Sequence, residues 1–422
     1  MSIIQEMLLG HILLTLIDNT NYGACIPCTI YLILIMKRVV ISLYLVIISL
    51  LLMSCQTKET ELKEKREFVF PTGYYVGPRC CGNFYDKDSN LFFYFAEPVS
   101  HKEIQIFNES QELVKRISLK DIEYIQLSKN IEMPCMDSII ITIGNPLQLI
   151  YVLDSDANVI YRKYLPHDYI KDSIVYEYGT SPPIFGYRYY NNGYIFIGNI
   201  ALLPFDNTEE YMRYIKTDYK NPKFSKIKLD SLNAEVQLFG GYYDKVYESE
   251  FSFRFSQIDY KVVNNHIFNR CWPTNKVAVI NCTNVDSVKV ISLNSKYTTI
   301  GLGDIQIDKN DIIYKIQDKL FANMYSQTGS LLNVVWDNYR QRYYFFIRTK
   351  CDSKTYTRDG ILQVFDKSFN FVKEMKLSNS TEFELCDITV TKEGLLINYN
   401  RYGKEENTTK KDMVYKLYAI DF

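Results

Sequence analysis

Gln105 to Leu119 reads QIFNESQELVKRISL, Tyr151 to Leu165 reads YVLDSDANVIYRKYL, and Gln363 to Leu377 reads QVFDKSFNFVKEMKL. In each, a β-rich triplet leads to Asn108, Asp154 or Asp366, an apolar residue follows five positions later (Leu113, Val159, Phe371), and a leucine closes the unit at Leu119, Leu165 or Leu377. An Asn or Asp suits the point where a chain turns, because its side chain bonds backbone two residues ahead. An apolar-rich strand then follows. Each stretch therefore predicts a two-strand unit with a fixed turn.

Weaker copies run from Val279 to Leu293 (VINCTNVDSVKVISL) and from Met324 to Val335 (MYSQTGSLLNVV). Between or before the units, Leu91 to Ala96, Ser138 to Ile143, Tyr194 to Ile200 and Tyr343 to Ile347 read as further strands, and Leu395 to Asn398 opens a last unit ending in Val414 to Ile420. The spacing predicts six or seven sheet modules of roughly 50 to 60 residues, near the longest propeller period. Composition agrees: aromatic residues make up 15% of the chain, with 36 Tyr, and this favours strands. No stretch after residue 68 sustains a helical apolar period. The reading is an all-β chain folded as a β-propeller, whose radial repetition leaves only short edges exposed. Tandem β-sandwiches are the alternative, but they leave the repeated Asn/Asp register without a reason.

N-terminal to the repeats, Met36 to Cys55 has a composition of its own. Lys37 and Arg38 precede an apolar run from Val39 to Met53, then Ser54, Cys55 and polar Gln56. A charged start, a short hydrophobic core and a small-residue cleavage site mark a secretory signal, and Cys55 resembles a lipobox cysteine, the acylated first residue of a bacterial lipoprotein. The run is short of the about 20 apolar residues that cross a bilayer. The expected organisation is an upstream extension at 1–35, a signal peptide at 36–54, a charged tether at 55–67 and a propeller domain at 68–422. Translation from Met36 places the charged pair at the start of the signal. It also leaves Cys25-Ile26-Pro27-Cys28 in the leader, without the βαβ context a thiol redox motif needs.

The lipobox at Cys55, the repeated units and Trp336 to Tyr344 (WDNYRQRYY) resemble an uncharacterised family of Bacteroidetes lipoproteins with a propeller fold, across nearly all of residues 36–422. The resemblance implies the fold and a place in the cell envelope. It assigns no chemistry. Gln56 lacks the Asp-type cue for inner-membrane retention, so by the same resemblance the expected site is the outer membrane.

The chain carries 48 Lys and Arg against 49 Asp and Glu, and loss of residues 1–54 removes two of each sign. With no basic stripe, nucleic acid is not an expected partner. The expected partners are the membrane, through the lipid, and a protein, peptide or glycan ligand. Seven cysteines remain after Cys55 at irregular spacing (Cys80, Cys81, Cys135, Cys271, Cys282, Cys351, Cys386), which does not predict a disulfide framework. His101, His167 and His266 are too scattered for the usual metal spacings, and no metal or cofactor is expected. There is no nucleophile elbow, zinc-protease motif or phosphate loop, so no catalytic residue is assigned, and the expected role is binding or scaffolding. A propeller glycoside hydrolase or lyase is the alternative.

Asp337, Tyr339, Arg340 and Arg342 are the candidate ligand-binding residues, since Arg and Tyr are enriched at binding hot spots. The competing reading makes this segment a turn whose Arg pairs with Asp while its tyrosines pack between blades. Trp272 and Trp336 read as packing residues. Four Asp-Ser-aliphatic triplets, beginning at Asp137, Asp172, Asp230 and Asp286, resemble an O-glycosylation sequon but read first as turns at strand starts.

Overall fold

The computed structural model describes residues 62–74, 76, 80–143, 149–164, 168–171, 174–178, 188–191, 193–202, 222–228, 236–241, 260–271, 274–301, 328–350, 359–377, 388–398 and 412–420. The N-terminal extension, the signal, Cys55 and the redox-like Cys25/Cys28 pair lie outside them.

Six antiparallel sheets follow one another along the chain. Blade 1 is β2 (Cys81–Tyr85), β3 (Leu91–Glu97), β4 (Glu103–Asn108) and β5 (Leu113–Ser118). Blade 2 is β6 (Ser128–Cys135), β7 (Ser138–Ile143), β8 (Leu149–Leu153) and β9 (Val159–Tyr164). Blade 3 is built on β12 (Arg188–Asn191), β13 (Tyr194–Leu202), β14 (Phe224–Lys228) and β15 (Val236–Phe239), and a hairpin of β10 (Asp168–Lys171) and β11 (Ile174–Tyr178) pairs with the far end of β13. Blade 4 is β16 (Tyr260–Val263), β17 (His266–Cys271), β18 (Lys276–Asn281) and β19 (Val288–Ser292). Blade 5 is β20 (Ser330–Asp337), β21 (Arg342–Arg348), β22 (Gly360–Asp366) and β23 (Phe371–Leu377). Blade 6 takes β24 (Ile388–Thr391), β25 (Gly394–Asn398) and β26 (Met413–Ala419) from the C-terminus and its outer strand, β1 (Glu64–Phe70), from the other end of the chain.

Burial explains this order. The middle strand β21 is buried at five consecutive positions, Tyr343 to Ile347, because both its faces meet neighbouring blades, while the outer strand β5 shows the pattern of an edge. Apolar clusters fill every junction. Five isoleucines (Ile140, Ile150, Ile195, Ile197, Ile227) join blades 2 and 3, and further clusters join 3 to 4, 4 to 5 and 5 to 6. One large cluster spans blades 6, 1 and 2, so the ring is closed. First strands of successive blades, such as β2 and β6 or β16 and β20, adjoin around the axis. Among the described residues no helix is long and apolar enough to cross a membrane.

The three strong repeats are the third and fourth strands of blades 1, 2 and 5. The Val279 to Leu293 copy occupies the same place in blade 4, whereas Ser330 to Val335 belongs to a first strand. That second copy differs because an apolar run such as Leu331 to Val335 fits any strand position. The folded body begins at Glu64, not Phe68: β1 alternates outward charges with buried Phe68 and Phe70, and the mixed-sign stretch read as tether is partly an edge strand. Leu62 is already buried in the cluster between blades 5 and 6. Asp137 and Asp286 sit in turns that open β7 and β19; the triplets at Asp172 and Asp230 lie outside the described residues.

Strand direction sorts the loops. First-to-second connections, and third-to-fourth connections in the five blades contiguous in the chain, join strands at one end of the sheet, here the turn face. Second-to-third and blade-to-blade connections leave from the opposite end, the connection face. The longest stretches, between Leu202 and Phe224, Phe239 and Tyr260, Ser292 and Ser330, and Asn398 and Met413, all leave from that end.

Candidate functional site

Asp337 ends β20 and is fully buried. Its Oδ1 accepts the backbone N–H of Tyr339 and of Arg340, each at 2.9 Å. Its Oδ2 accepts Arg340 Nη1 at 3.0 Å and the Tyr344 hydroxyl at 2.8 Å. The same guanidinium donates to the carbonyls of Thr391 (3.3 Å) and Lys392 (2.9 Å) in the turn after β24. Burial, and then the Asp337 carboxylate, hold the Tyr344 phenol well above its ordinary range, so it stays a donor. Asp337 and Arg340 are thus brought together as a clamp from blade 5 to blade 6. Tyr339 is exposed and meets the ring of Tyr85 edge-on, with 6.0 Å between centroids. Arg342 is turned aside and donates to the Gln341 carbonyl. The segment's hydrogen-bonding groups are largely used inside the protein.

The axis collects a different set. Each of five first strands places a polar side chain there: Asn83 on β2, Asn130 and Glu132 on β6, Lys261 on β16, Asn333 on β20 and Thr389 on β24. Two of these strands bulge where the polar residues sit, between Ser128 and Asn130 and after Glu132 in β6, and between Leu331 and Asn333 in β20. A bulge re-aims a side chain and is over-represented beside functional sites. The Asn130 amide donates to the Glu132 carboxyl, Lys261 Nζ donates to Asn333 Oδ1 at 2.5 Å, and the Thr389 hydroxyl donates to Asn83 Oδ1 at 2.5 Å.

Glu132 is the one carboxyl among the described residues whose protonation is moved into the neutral range. Protein surrounds it, and this burial pushes it up to about 7 against the Asn130 hydrogen bond and the Lys261 charge, which both pull it down. It keeps some accessible surface because it lines the channel. A carboxyl perturbed by desolvation plus a specific charge partner marks a candidate functional site. Nothing in the sequence singled it out: Glu132 stands alone among uncharged neighbours in Asn130 to Cys135, and only its odd sign within an inner strand could have marked it.

Other expectations fall elsewhere. His101 stacks on Tyr74 at the connection face, whereas His266 bonds the Tyr343 hydroxyl at 3.1 Å near the turn face, and His167 lies outside the described residues. Cys80, Cys81, Cys135 and Cys282 are in no disulfide. Trp336 packs on Tyr343 with 4.5 Å between centroids; Trp272 is outside the described set. Among the described residues no group of three His, Cys, Asp or Glu is placed to hold a metal ion.

Six sheets closed in a ring, with polar side chains on the inner strands, define a six-bladed β-propeller with an axial polar cluster. Among solved structures, the chain is similar to a member of the DUF4221 family from Bacteroides vulgatus, with a TM-score of 0.58, 14% identity, and coverage of 86% of this chain and 99% of that one. It is also similar, at a TM-score of 0.47 and 10% identity, to a candidate exported protein from Bacteroides fragilis, covering 86% of this chain and 95% of that one. At 14% identity the likeness to the first of these concerns the fold alone. No family model and no curated protein sequence matches the chain.

Proposed function

We infer that this protein is a lipid-anchored propeller of the bacterial cell envelope that presents its connection face to a protein, peptide or glycan ligand. The observation that carries the reading is where β1 begins. A fourth strand starts at the turn face, so the chain enters the propeller there at Glu64, nine positions after Cys55. Nine residues reach at most about 30 Å when extended. A lipid on Cys55 would therefore hold the turn face toward the bilayer and point the longest connections away from it. Gln56 favours outer-membrane sorting. Growth with an alkyne-palmitate analogue, followed by fractionation, tests the anchor: label and membrane recovery are expected for the wild type and lost in Cys55→Ser. A wild-type protein that is unlabelled and soluble would overturn it.

Glu132 favours a second reading, hydrolysis or elimination on a glycan. A carboxyl near 7 is suited to giving and taking a proton at neutral pH. Glycoside hydrolysis ordinarily uses a second carboxylate, and the described part of the axis offers Lys261 instead. Incubation with envelope glycans decides: product formation abolished in Glu132→Gln would move this reading ahead.

A further inference from the structure

Where blade 6 meets blade 1, the inner ends of the two sheets leave a cavity of about 170 Å³. Its polar wall is Asn83 and Thr389, and Phe93 and Tyr415, both almost wholly buried, lie behind it in the core. We propose that this cavity is a binding site for a neutral polyhydroxylated ligand, a single sugar residue such as a hexose or the end of a glycan chain.

Three features carry the assignment. The volume is large for buried water, each molecule of which takes about 30 Å³, and suits one compact ring. None of the lining residues is Asp, Glu, Lys, Arg or His, so an ion would enter without a countercharge. Finally, the donor and acceptor inventory is incomplete. Asn83 Oδ1 is taken by the Thr389 hydroxyl, while the Asn83 amide nitrogen, which can donate twice, has no partner among the described residues. A sugar hydroxyl accepts from such an amide and donates to a threonine oxygen.

The site lies in the propeller itself and does not depend on the lipid anchor, so either reading can fail without the other. Cys81 lines the same cavity and is in no disulfide, and exposed Cys135 provides an internal reference. The full chain is alkylated under reducing conditions with and without hexoses, N-acetylhexosamines and, for contrast, neutral amino acids, and labelling at each cysteine is read by tandem mass spectrometry. The expected result is saturable protection of Cys81 by one or more sugars, with Cys135 unchanged. In Asn83→Leu the concentration needed should rise about tenfold, the effect of one hydrogen bond; Thr389→Val serves if that variant does not fold. No protection by any sugar, equal protection by amino acids, or protection untouched by both substitutions would overturn the proposal.

Discussion

Glu132 and Asp337 are both carboxyls enclosed by the propeller, and their surroundings give them opposite characters. Asp337 has two backbone donors, a guanidinium and a phenol, whereas Glu132 has one amide and a more distant ammonium. The Glu132 carboxyl therefore holds its proton up to about 7 in the folded state, against an ordinary value of 4.5. Below about 4.5 both folded and unfolded chains are protonated there; between 4.5 and 7 the unfolded chain releases the proton and the native chain keeps it, so this group's contribution to stability falls as pH rises through that window. Glu132→Gln should match the wild type near pH 4.5 and exceed it at pH 8 by roughly 1–3 kcal/mol, measured by urea unfolding across pH. A variant less stable at pH 8 would show that the charged form is the one the channel is built for. At Asp337 the prediction is reversed. Arg340→Ala leaves a buried carboxylate without its cation and should cost about 3 kcal/mol, with Arg340→Lys recovering only part, since an ammonium cannot span Asp337 and two carbonyls. If Arg340→Ala unfolds like the wild type, the clamp is idle and the arginine is available to a ligand.

At the scale of the element, one hairpin is built four times. Asp86, Asp154 and Asp366 each take the N–H groups two and four residues ahead on Oδ1 and the amide of Asn90, Asn158 or Asn370 on Oδ2. Asn108 takes only the N–H four residues ahead, that of Glu112, on Oδ1, and donates its own amide to the Glu112 carboxylate. These bonds hold the three aspartates below the ordinary carboxylate range. The fourth residue of each turn, Ser89, Gln111, Ala157 or Phe369, has φ between 62° and 67°, a conformation that costs a non-glycine residue about 1 kcal/mol or more. Exposed Ser89 makes no packing contact that glycine would lose, so Ser89→Gly should raise stability by roughly 0.5–1 kcal/mol in thermal or urea unfolding; a loss would mean that the serine does something the turn does not require. At Asn108, Asp154 and Asp366 this turn was legible in the sequence because the side chain that sets it bonds its own local backbone, whereas the copy at Asp86 was not read and the part played by the Asn four residues on is seen only in the fold. The blade contacts were less so. Gln105 and Gln363 occupy equal places in blades 1 and 5, and each sends its amide to the connection entering its own blade, at Thr72 and Asn294; blade 2 puts Tyr151 and blade 4 Ala278 there. A two-member pattern is visible only once the partners, 33 and 69 residues away, are in place. Asp337 and Arg340 announced their pairing by spacing, but whether Arg340 faced a ligand or Thr391 was a long-range fact. Glu132 was illegible for the same reason: its environment comes from strands of other blades.

For the whole molecule, the question is what keeps a ring of six sheets shut. Each junction has an apolar filling, and each also has a cation reaching from one blade to a turn of the next: Lys115 to Asp156, Lys163 to Lys228, Lys226 to Cys282, Lys289 to Ser368, Arg340 to Lys392, and Arg66 to Glu109. Most of these are exposed and individually worth little, so the ring depends on its apolar junctions. Five of the six blades are contiguous in the chain; only blade 6 is made from both ends, and β1 has no hairpin to hold it beside β26. Its anchor is Phe70, fully buried against Phe93 (4.6 Å), Phe95 (5.1 Å), Phe107 (5.5 Å) and Tyr415 (6.0 Å) between ring centroids. Phe70→Ala should cost about 3–5 kcal/mol. A linear array of repeats frays from its ends, and closure removes the ends, so the loss should be uneven. Native-state hydrogen exchange should accelerate in β1, β26 and the facing strands of blade 1, while β21 and β22 in blade 5 exchange as before. A uniform acceleration would instead make the propeller one cooperative unit in which β1 has no special part, and an unchanged β1 would place closure in the channel-side strands β2 and β24.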